Sequence, residues 1–417
     1  MTEKLYYADV CCREFTAVVT DCREGKHGYQ VVLSRTAFYP EGGGQPGDRG
    51  VLYMIEQDAQ RAEDTSEKGT DKPFGASNPE SSSTVIEVTD THEKDGEILH
   101  FTDTYLAPGT IVAGQIDWEY RFDLMQNHSG EHIVSGLIHE KYGYQNVGFH
   151  MGSDVLTIDL DGELSPEELQ EIEQRANEVI WQDLPVQTEV YTEEAVKALT
   201  YRSKKELHGE VRIVTIPGAD TCACCGTHVR RTGEIGLIKL ISAQKFKGGV
   251  RMEMLCGRRA LAYMNEMWEQ NRRISVILSA KPKQTAAAVQ RLKESEAAVS
   301  FRMTALENEL FEQKAERLQN AGNVLLFEEG LAPDSVRRLA VAVMERCGGL
   351  CAVFSGTEEE GYKYAVGQTD GDLRALIKEM NTALNGRGGG KPFFAQGSVN
   401  AKKAEIEAFW GGKLCVY

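Results

Sequence analysis

Two histidines four residues apart, His128 and His132, lie in a stretch with the apolar spacing of a helix. Apolar residues follow at Ile133, Leu137 and Ile138. Because residues i and i+4 lie one above the other on a helix face, both imidazoles can reach a single metal ion. The pattern alone is equally compatible with two ordinary core or surface histidines.

A second pair with the same spacing, Cys224 and His228, follows further along the chain. Thiolate and imidazole are the usual zinc ligands, and three histidines with one cysteine suit a tetrahedral ion. The two pairs together predict one zinc ion per chain. The predicted ligands are His128, His132, Cys224 and His228. Cys222 and Cys225 form a C-x-x-C of their own, but only Cys224 repeats the spacing of the histidine pair.

Composition narrows the class of protein. The chain has 417 residues, which suits two or three domains. No stretch approaches the roughly eighteen apolar residues of a membrane span, and the N-terminus lacks the order of a signal peptide. Ten cysteines without framework spacing then indicate free or metal-bound thiols in the cytoplasm. The net charge of -17 argues against a protein that coats nucleic acid indiscriminately.

The fold class is predicted to be α+β. Short β-branched runs bounded by turn residues fill the first part of the chain and predict a small barrel. A polar segment, residues 56–83, is predicted to be a flexible insertion in it. The predicted domains are a β-barrel-like domain (1–115), an α+β zinc-binding domain (116–256), a helical coiled-coil-like spacer (257–322) and a C-terminal α/β domain (323–417).

The spacer is predicted to contain two helices that are interrupted near Pro282. The second helix has an apolar seam with three and four spacing. The seam comprises Leu292, Val299, Met303, Leu306 and Leu310. It can pack on the first helix, as a hairpin, or on a second chain, so a homodimer through the C-terminal half is one expectation. Simple core packing is the alternative.

A glycine-rich segment lies between the predicted strands of the barrel. Gly42, Gly43 and Gly44 expose backbone N–H groups and let a ligand come close, and Thr36 and Gln45 could supply polar side chains. These five residues are the predicted substrate-binding set. A tight turn would explain the glycines equally well.

Three motifs, in this order, are TAFYPEGGGQPGDRG, IDWEYRFDLMQNHSGEH and CACCGTHVRRTGEIGLIKL. They resemble the editing domain of alanyl-tRNA synthetases and the free-standing alanyl-tRNA editing proteins. The resemblance implies a zinc-dependent deacylase that hydrolyses the ester of mischarged tRNA(Ala), mainly seryl and secondarily glycyl. It places the family's zinc ligands at the four positions named above, and it places Thr36 where the serine hydroxyl is recognised.

The last hundred residues alternate strands and helices before a basic, glycine-rich stretch from Gly386 to Pro392. We expect a loop there whose amides, with Arg387 and Lys391, present positive charge to phosphate. This part resembles the C-terminal domain of alanyl-tRNA synthetases, which DHH-type phosphoesterases share in outline. The resemblance implies binding of the tRNA elbow.

A basic stretch follows the second ligand pair. Residues 226–260 contain eight bases and two acids, a local charge of +6. Bases beside a hydrolytic site would hold tRNA phosphates, although an ordinary solvated face is the alternative. The predicted tRNA contacts here are Arg230, Arg231, Lys245, Lys247 and Arg251.

Two residues are candidate catalytic groups. Glu131 is the acid nearest the ligands in sequence, although helix geometry favours a supporting or solvent role for it over that of a general base. His150 could face the site, although a lone histidine is more often structural.

Two rival functions remain at this point. His128-Ser129-Gly130-Glu131-His132 fits the H-x-x-E-H pattern of a metallopeptidase class, which needs a carboxylate as its third ligand. A non-catalytic tRNA-binding module is the other rival. A DHH-type nuclease is disfavoured because the chain contains no Asp-His-His.

Overall fold

The computed structural model describes residues 2–26, 28–55, 84–203 and 209–417. The chain divides into two compact units, Met1–Gln270 and Asn271–Tyr417. The predicted insertion at 56–83 lies outside the described residues, and the finer division into four domains stays a prediction. No helix in the described ranges is both long and apolar enough to cross a membrane.

The first unit begins with the predicted barrel. A short strand and helix precede it, β1 (Glu3–Lys4) and α1 (Leu5–Ala8). The next strands are β2 (Glu14–Gly25), β3 (Gly28–Leu33), β4 (Arg35–Thr36), β5 (Gly50–Met54), β6 (Val85–Lys94), β7 (Glu97–Thr102) and β8 (Ile111–Ile116). β1 pairs with β4, while the barrel closes in the order β2-β3-β7-β6-β5-β8. Alternate residues of each strand face the interior, so Phe15, Ala17 and Val19 of β2 are all buried.

The histidine helix follows directly as α2 (Trp118–Tyr142). Asp117 caps its N-terminus by accepting a hydrogen bond from the backbone N of Tyr120, and Gly143 ends it with φ of 74°. Nearly every residue from Leu124 to Ile138 is buried. The helix is therefore central to its unit, and both histidines lie in the interior rather than on a surface stripe.

Two small sheets surround α2. Their strands and helices are β9 (Asn146–Met151), β10 (Leu156–Leu160), α3 (Pro166–Trp181), β11 (Gln187–Tyr191), α4 (Glu193–Val196), β12 (Val211–Ile216), β13 (Asp220–Ala223), β14 (Ile238–Phe246) and β15 (Gly249–Cys256). One sheet has the order β14-β15-β10-β9 and the other β11-β12-β13. Ser165 caps α3 in a capping box with Glu168.

A buried ion pair joins the barrel to α2. Nε of Arg121 donates to Oδ1 of Asp48 at 2.9 Å, and both side chains are almost fully buried. Arg121 also donates to the carbonyl of Ala37 at 2.7 Å, and Asp48 accepts the backbone N–H of Tyr39. Removing either partner would leave a buried charge unpaired, which costs about 3–5 kcal/mol. The pair therefore fixes the glycine-rich segment against the helix that carries the two histidines.

The second unit starts within α5 (Gly257–Ile277), the helix that contains the boundary. The remaining elements are α6 (Thr285–Arg317), β16 (Gly322–Glu328), α7 (Pro333–Cys347), β17 (Gly348–Thr357), β18 (Gly361–Gln368), α8 (Arg374–Ala383), β19 (Gly386–Lys391), β20 (Phe394–Val399), α9 (Lys403–Trp410) and β21 (Cys415–Val416). Six strands form one sheet in the order β19-β20-β18-β17-β16-β21. The predicted break between two helices near Pro282 is confirmed.

The structure of this unit differs from two of the expectations. The stretch from Gly386 to Lys391 is not a loop before a helix but the edge strand β19, paired with β20. The seam of α6 is not in a core, since Leu292, Val299, Met303, Leu306 and Leu310 are all more than half exposed. The C-terminal end of α6 packs through Phe311 and Ala315 with residues of α7.

Candidate metal centre

Four side chains from two parts of the chain meet in the first unit. α2 carries His128 and His132 on one face, and the segment after β13 carries Cys224 and His228. Their candidate ligand atoms all lie within 4.8 Å of one another. The ring centroids of His128 and His132 are 5.2 Å apart, and that of His228 lies 4.4 Å and 4.6 Å from them. The two pairs that the sequence singles out form one cluster.

The orientation of His132 is set by an acid. Its Nδ1 lies 2.8 Å from Oδ2 of Asp220, on β13, and therefore carries the proton that it donates there. Arg202 holds the same carboxylate through Nε at 2.7 Å and Nη2 at 2.8 Å. Burial opposes ionisation, but His132 and Arg202 keep the pKa of Asp220 below its usual value. The carboxylate thus holds the Nδ1 proton of His132 and leaves Nε2 turned toward the cluster.

The glycine-rich segment sets the orientation of His128. Nδ1 of His128 lies 2.9 Å from Oε1 of Gln45, which also accepts the backbone N–H of Thr227. Nε2 of Gln45 donates to Oγ1 of Thr227 at 2.8 Å, so both ends of the amide are used. Gln45 is fully buried and ties the barrel to the second ligand segment.

The third ring, His228, is held from α2. Its Nδ1 lies 3.2 Å from Oγ of Ser129, and that oxygen accepts the backbone N–H of Val229. Burial and then the charge of His128 lower the pKa of His228 to about 3, so the ring is neutral. All three imidazoles therefore use Nδ1 for support and leave Nε2 for a shared ligand.

The cluster can be tested for its fit to zinc. A tetrahedral ion with Zn–N of about 2.0–2.1 Å and Zn–S of about 2.3 Å separates nitrogen from sulfur by roughly 3.5 Å. Nε2 of His128 lies 3.5 Å from Sγ of Cys224. Nε2 of His228 is buried and has no hydrogen-bond partner among the described residues, and such an atom in a folded protein calls for an explanation. The donors and their separation fit a zinc ion.

The three neighbouring cysteines differ in ionisation. Burial alone would raise the pKa of Cys224, but His128 and His132 hold it well below its usual value. Burial raises the pKa of Cys222 to about 11 and also raises that of Cys225. The thiolate is the form that binds metal, so the structure favours Cys224, in agreement with its spacing.

The backbone of the ligand segment is held by Arg212 of β12. This guanidinium donates to the carbonyl of Cys224 at 2.7 Å and to that of Gly226 at 2.9 Å. A side chain at Gly226 would not fit, because its Cβ would lie 2.1 Å from Cε1 of His128. The segment therefore approaches the histidine helix more closely than any residue but glycine allows.

A second group, His132, Asp220 and Cys222, also brings possible ligand atoms together. Asp220 is already committed to Nδ1 of His132 and to Arg202, and Cys222 keeps its proton at neutral pH. These three residues are better explained as support for the first cluster than as a second metal site.

Comparisons with known proteins place this geometry in a family. Residues 211–253 match the family model described as the threonyl and alanyl tRNA synthetase second additional domain, and residues 320–409 match the DHHA1 domain. The alanyl-tRNA editing protein AlaX-L of Pyrococcus horikoshii is 32% identical over 97% of this chain and 96% of its own length. The chain belongs to the alanyl-tRNA editing protein family.

Other members of the family and a synthetase show the same extent of similarity. An alanyl-tRNA editing protein of Xenopus laevis is 27% identical over 91% of this chain and 87% of its own. An alanine–tRNA ligase of Halorubrum lacusprofundi is 29% identical over 95% of this chain, which corresponds to 42% of the ligase. The similarity therefore extends through both units.

Four of the five predicted substrate-binding residues, Gly42 to Gln45, form a tight turn. Gly42 and Gln45 exchange two backbone hydrogen bonds, and Gly43 and Gly44 have φ of 61° and 88°. The turn that the sequence offered as an alternative is present, and it places Gln45 beside His128. Thr36 is fully buried with its hydroxyl 2.8 Å from Nε2 of His100.

The two catalytic candidates lie in different environments. Glu131 is buried, its Oε1 accepts from Ser135 at 2.6 Å and from Asn146, and its Oε2 lies 3.9 Å from Nε2 of His132. His150 is exposed on β9. The preceding residue, Phe149, stacks on His128 with centroids 5.4 Å apart, and successive strand residues face opposite sides. No sequence pattern pointed to Phe149.

The bases of residues 226–260 are mostly neutralised in space. Seven of the eight form ion pairs with acids from other segments; the pairs are Arg230–Asp9, Arg231–Asp183, Lys239–Glu173, Lys245–Glu163, Arg251–Asp159, Arg258–Glu119 and Arg259–Asp123. Lys247 is the exception among them within the described part of the chain. A count along the sequence missed these acids because each lies far away in the chain.

Of the two predicted phosphate contacts of the second unit, Lys391 lines a groove and Arg387 does not. Arg387 and Lys391 are exposed on β19, and a groove of about 620 Å³ lies between that strand and α8. Lys378 also lines it. A Cβ at Gly389 would meet nothing within 4 Å, so the strand leaves an open strip of backbone beside these cations.

Proposed function

We propose that this protein is a zinc-dependent deacylase that hydrolyses the ester of mischarged tRNA(Ala), mainly Ser-tRNA(Ala) and secondarily Gly-tRNA(Ala). The observation that carries the proposal is the buried cluster of three Nε2 atoms and one thiolate in a chain of the alanyl-tRNA editing family. One zinc ion would be held by His128, His132, Cys224 and His228. When bound, it would supply a Lewis acid beside the aminoacyl ester.

The protein's own groups would position that site and accept a proton. Oδ2 of Asp220 and Oε1 of Gln45 accept from Nδ1 of His132 and His128, and Ser129 contacts Nδ1 of His228, so that Nε2 of each ring is turned toward the ion. Oε2 of Glu131 lies 3.9 Å from Nε2 of His132, so we assign to Glu131 the proton of the attacking water, and Asn146 and Ser135 hold the carboxylate in place.

Thr36 is the proposed contact for the serine hydroxyl, and its neighbours fix its hydrogen-bonding role. Nδ1 of His100 faces the carbonyl oxygen of Val31 at 2.9 Å, so Nδ1 carries the ring proton and Nε2 accepts. The Thr36 hydroxyl therefore donates to Nε2, and its oxygen, which already accepts the backbone N–H of Phe38 at 3.1 Å, has one lone pair left for a substrate hydroxyl. A site built to pair with that hydroxyl disfavours the alanyl ester, which lacks it.

The tRNA body would contact both units. Arg387 and Lys391, both exposed on β19, are suited to phosphate, and exposed bases of the first unit could add salt-sensitive contacts when tRNA phosphate displaces their acid partners. The exposed seam of α6 supports self-association of the C-terminal half as a further proposal. Changing Leu292 and Leu306 together to Glu should then lower the mass measured by light scattering; an unchanged monomer mass for both proteins would remove the dimer.

The metallopeptidase rival is less well supported. That class needs a carboxylate as third ligand, whereas the donors that converge here with His128 and His132 are Cys224 and His228. Glu131 lies beside this set but is bound by Ser135 and Asn146.

Deacylation of Ser-tRNA(Ala), Gly-tRNA(Ala) and Ala-tRNA(Ala) tests the proposed function. Rapid loss of serine, slower loss of glycine and sparing of alanine are expected from purified, zinc-loaded protein. Absence of hydrolysis of every ester, with tRNA still bound, would leave only the binding-module alternative.

A further inference from the structure

The turn that joins α5 to α6 carries an uninterrupted positive charge. From Asn271 to Lys293 the chain contains six bases and no acid, in a protein of net charge -17. The bases are Arg272, Arg273, Lys281, Lys283, Arg291 and Lys293, and all six are exposed. This run, which we call the hairpin patch, lies wholly in the second unit.

The hairpin patch differs from the basic stretch after the metal ligands. There, seven of eight bases already have an acidic partner. In the hairpin patch, Lys281, Lys283, Arg291 and Lys293 form no ion pair with any residue that the structure describes. A polyanion that binds there would not have to displace an internal carboxylate from these four charges.

The turn that carries the patch is held by side-chain hydrogen bonds between the two helix ends. Nδ2 of Asn271 donates to the carbonyl of Pro282 at 2.8 Å, and Oγ1 of Thr285 donates to Oδ1 of Asn271 at 2.7 Å. Oγ of Ser275 donates to the carbonyl of Ala280 at 2.6 Å, and Ala288 is buried at the start of α6. These cross-links hold the two helix ends together, so the cations are presented from a fixed frame.

We propose that the hairpin patch is a binding site for the phosphodiester backbone of tRNA. This inference rests on the proposed function for its ligand, since a tRNA substrate is what supplies the phosphates. Binding at this site would not depend on the nucleotide sequence, because the lysine and arginine side chains would contact phosphates and not the edges of the bases. It would add to the affinity for the tRNA body.

A membrane surface is the competing ligand class. Ile274, Val276 and Ile277 are exposed close to the patch, and basic residues beside apolar ones also suit anionic lipid. The exposed large apolar side chains from Asn271 to Lys293, which are these three with Val289 and Leu292, include no aromatic one, and the chain belongs to a family named for acting on tRNA. Both observations favour RNA.

The test compares two variants in which the same amount of charge is removed. K281A/K283A/R291A/K293A removes four of the six bases of the patch, and K26A/K94A/K363A/K402A removes four exposed lysines elsewhere. Binding of uncharged tRNA(Ala) is measured over a salt series. The patch variant should bind at least about tenfold more weakly at moderate salt, and its slope of log affinity against log salt should fall by about 0.9 for each phosphate group that it no longer binds. The control should keep at least about half of the wild-type affinity and an unchanged slope.

Two further measurements separate the possible outcomes. Hydrolysis of a seryl ester of the CCA trinucleotide should be equal in the patch variant and the parent, since that substrate lacks the tRNA body whose phosphates the patch is proposed to bind. If neither protein hydrolyses it, the proposed function fails while the binding result still stands. Equal tRNA affinity and slope in the patch variant and the parent would overturn the proposal, as would patch-dependent binding to phosphatidylserine vesicles with tRNA binding unaffected.

Discussion

Nδ1 of His132 lies 2.8 Å from Oδ2 of Asp220, and Arg202 binds both oxygens of that carboxylate. Asp220 lies on β13, immediately before the segment that carries Cys224 and His228. A residue of the second ligand segment therefore orients a ligand of α2. In the other direction, Ser129 of α2 supports His228. Each half of the cluster is positioned by the other, so neither half is complete alone.

Asp220→Asn should weaken zinc binding about 10–100-fold, because it removes the charge that holds His132 in the required tautomer. The affinity is measured by competition with a chelating indicator. Asp183→Asn is the control, since it also removes a carboxylate paired with arginine, but at the surface. Equal zinc affinity for Asp220→Asn and the parent would contradict this role.

Cys224→Ser should abolish stoichiometric zinc, whereas Cys222→Ser and Cys225→Ser should retain it. The reason is ionisation: His128 and His132 lower the pKa of Cys224, while burial raises the pKa of the other two thiols. Zinc is measured by elemental analysis of dialysed protein. Retention of one zinc by Cys224→Ser, or its loss from Cys225→Ser, would assign the thiolate differently.

Glu131→Gln should lower kcat for Ser-tRNA(Ala) by about 10²–10⁴-fold with zinc content unchanged, as expected for loss of a proton acceptor. Glutamine keeps the size of the side chain and can still bond to Ser135 and Asn146. His150→Gln is the matched control because its parent ring is exposed on the opposite side of β9 from Phe149. A Glu131→Gln protein with the parent's kcat would leave Glu131 with a structural role only.

The local spacing of residues predicted the ligands but not their supports. His128 and His132 share a turn of helix, and Cys224 and His228 share one short segment, so four-residue spacing identified both. Gln45 and Asp220 meet their histidines across the fold, and no spacing rule links them. Asp220 precedes Cys224 by four residues, which is the one signal that could have drawn attention to it.

Charge and glycine patterns along the chain were less informative about the structure, because they do not show which residues meet across the fold. The count of bases after Gly226 is correct along the chain, but acids such as Asp9 and Asp159 approach them only in three dimensions. Glycine has low strand propensity, so Gly386–Lys391 was predicted as a loop. Backbone pairing with β20 makes it an edge strand instead, since edge pairing does not depend on side chains.

Stability of the first unit should fall as pH falls below 6.5, in a way that depends on His100. Burial lowers the pKa of His100 to about 4, whereas the unfolded chain has a value of about 6.5. The unfolded state then binds more protons between these values, so acidification favours unfolding. Between pH 7 and pH 5 the loss is about 2 kcal/mol in free energy of unfolding.

Urea denaturation of the parent and His100→Gln at both pH values measures that difference. Glutamine does not titrate and can offer an acceptor to the Thr36 hydroxyl, so its pH dependence should be smaller by that amount. The same pH dependence in both proteins would show that His100 is not the titrating group.

Removal and restoration of zinc test the central claim most directly. Protein treated with a strong chelator should lose hydrolysis of Ser-tRNA(Ala), and one equivalent of zinc per chain should restore it. The same zinc should restore nothing to His132→Ala, which lacks a ligand. Full deacylation by the metal-free protein would contradict zinc catalysis, because the convergence of His128, His132, Cys224 and His228 would then serve the fold and not the reaction.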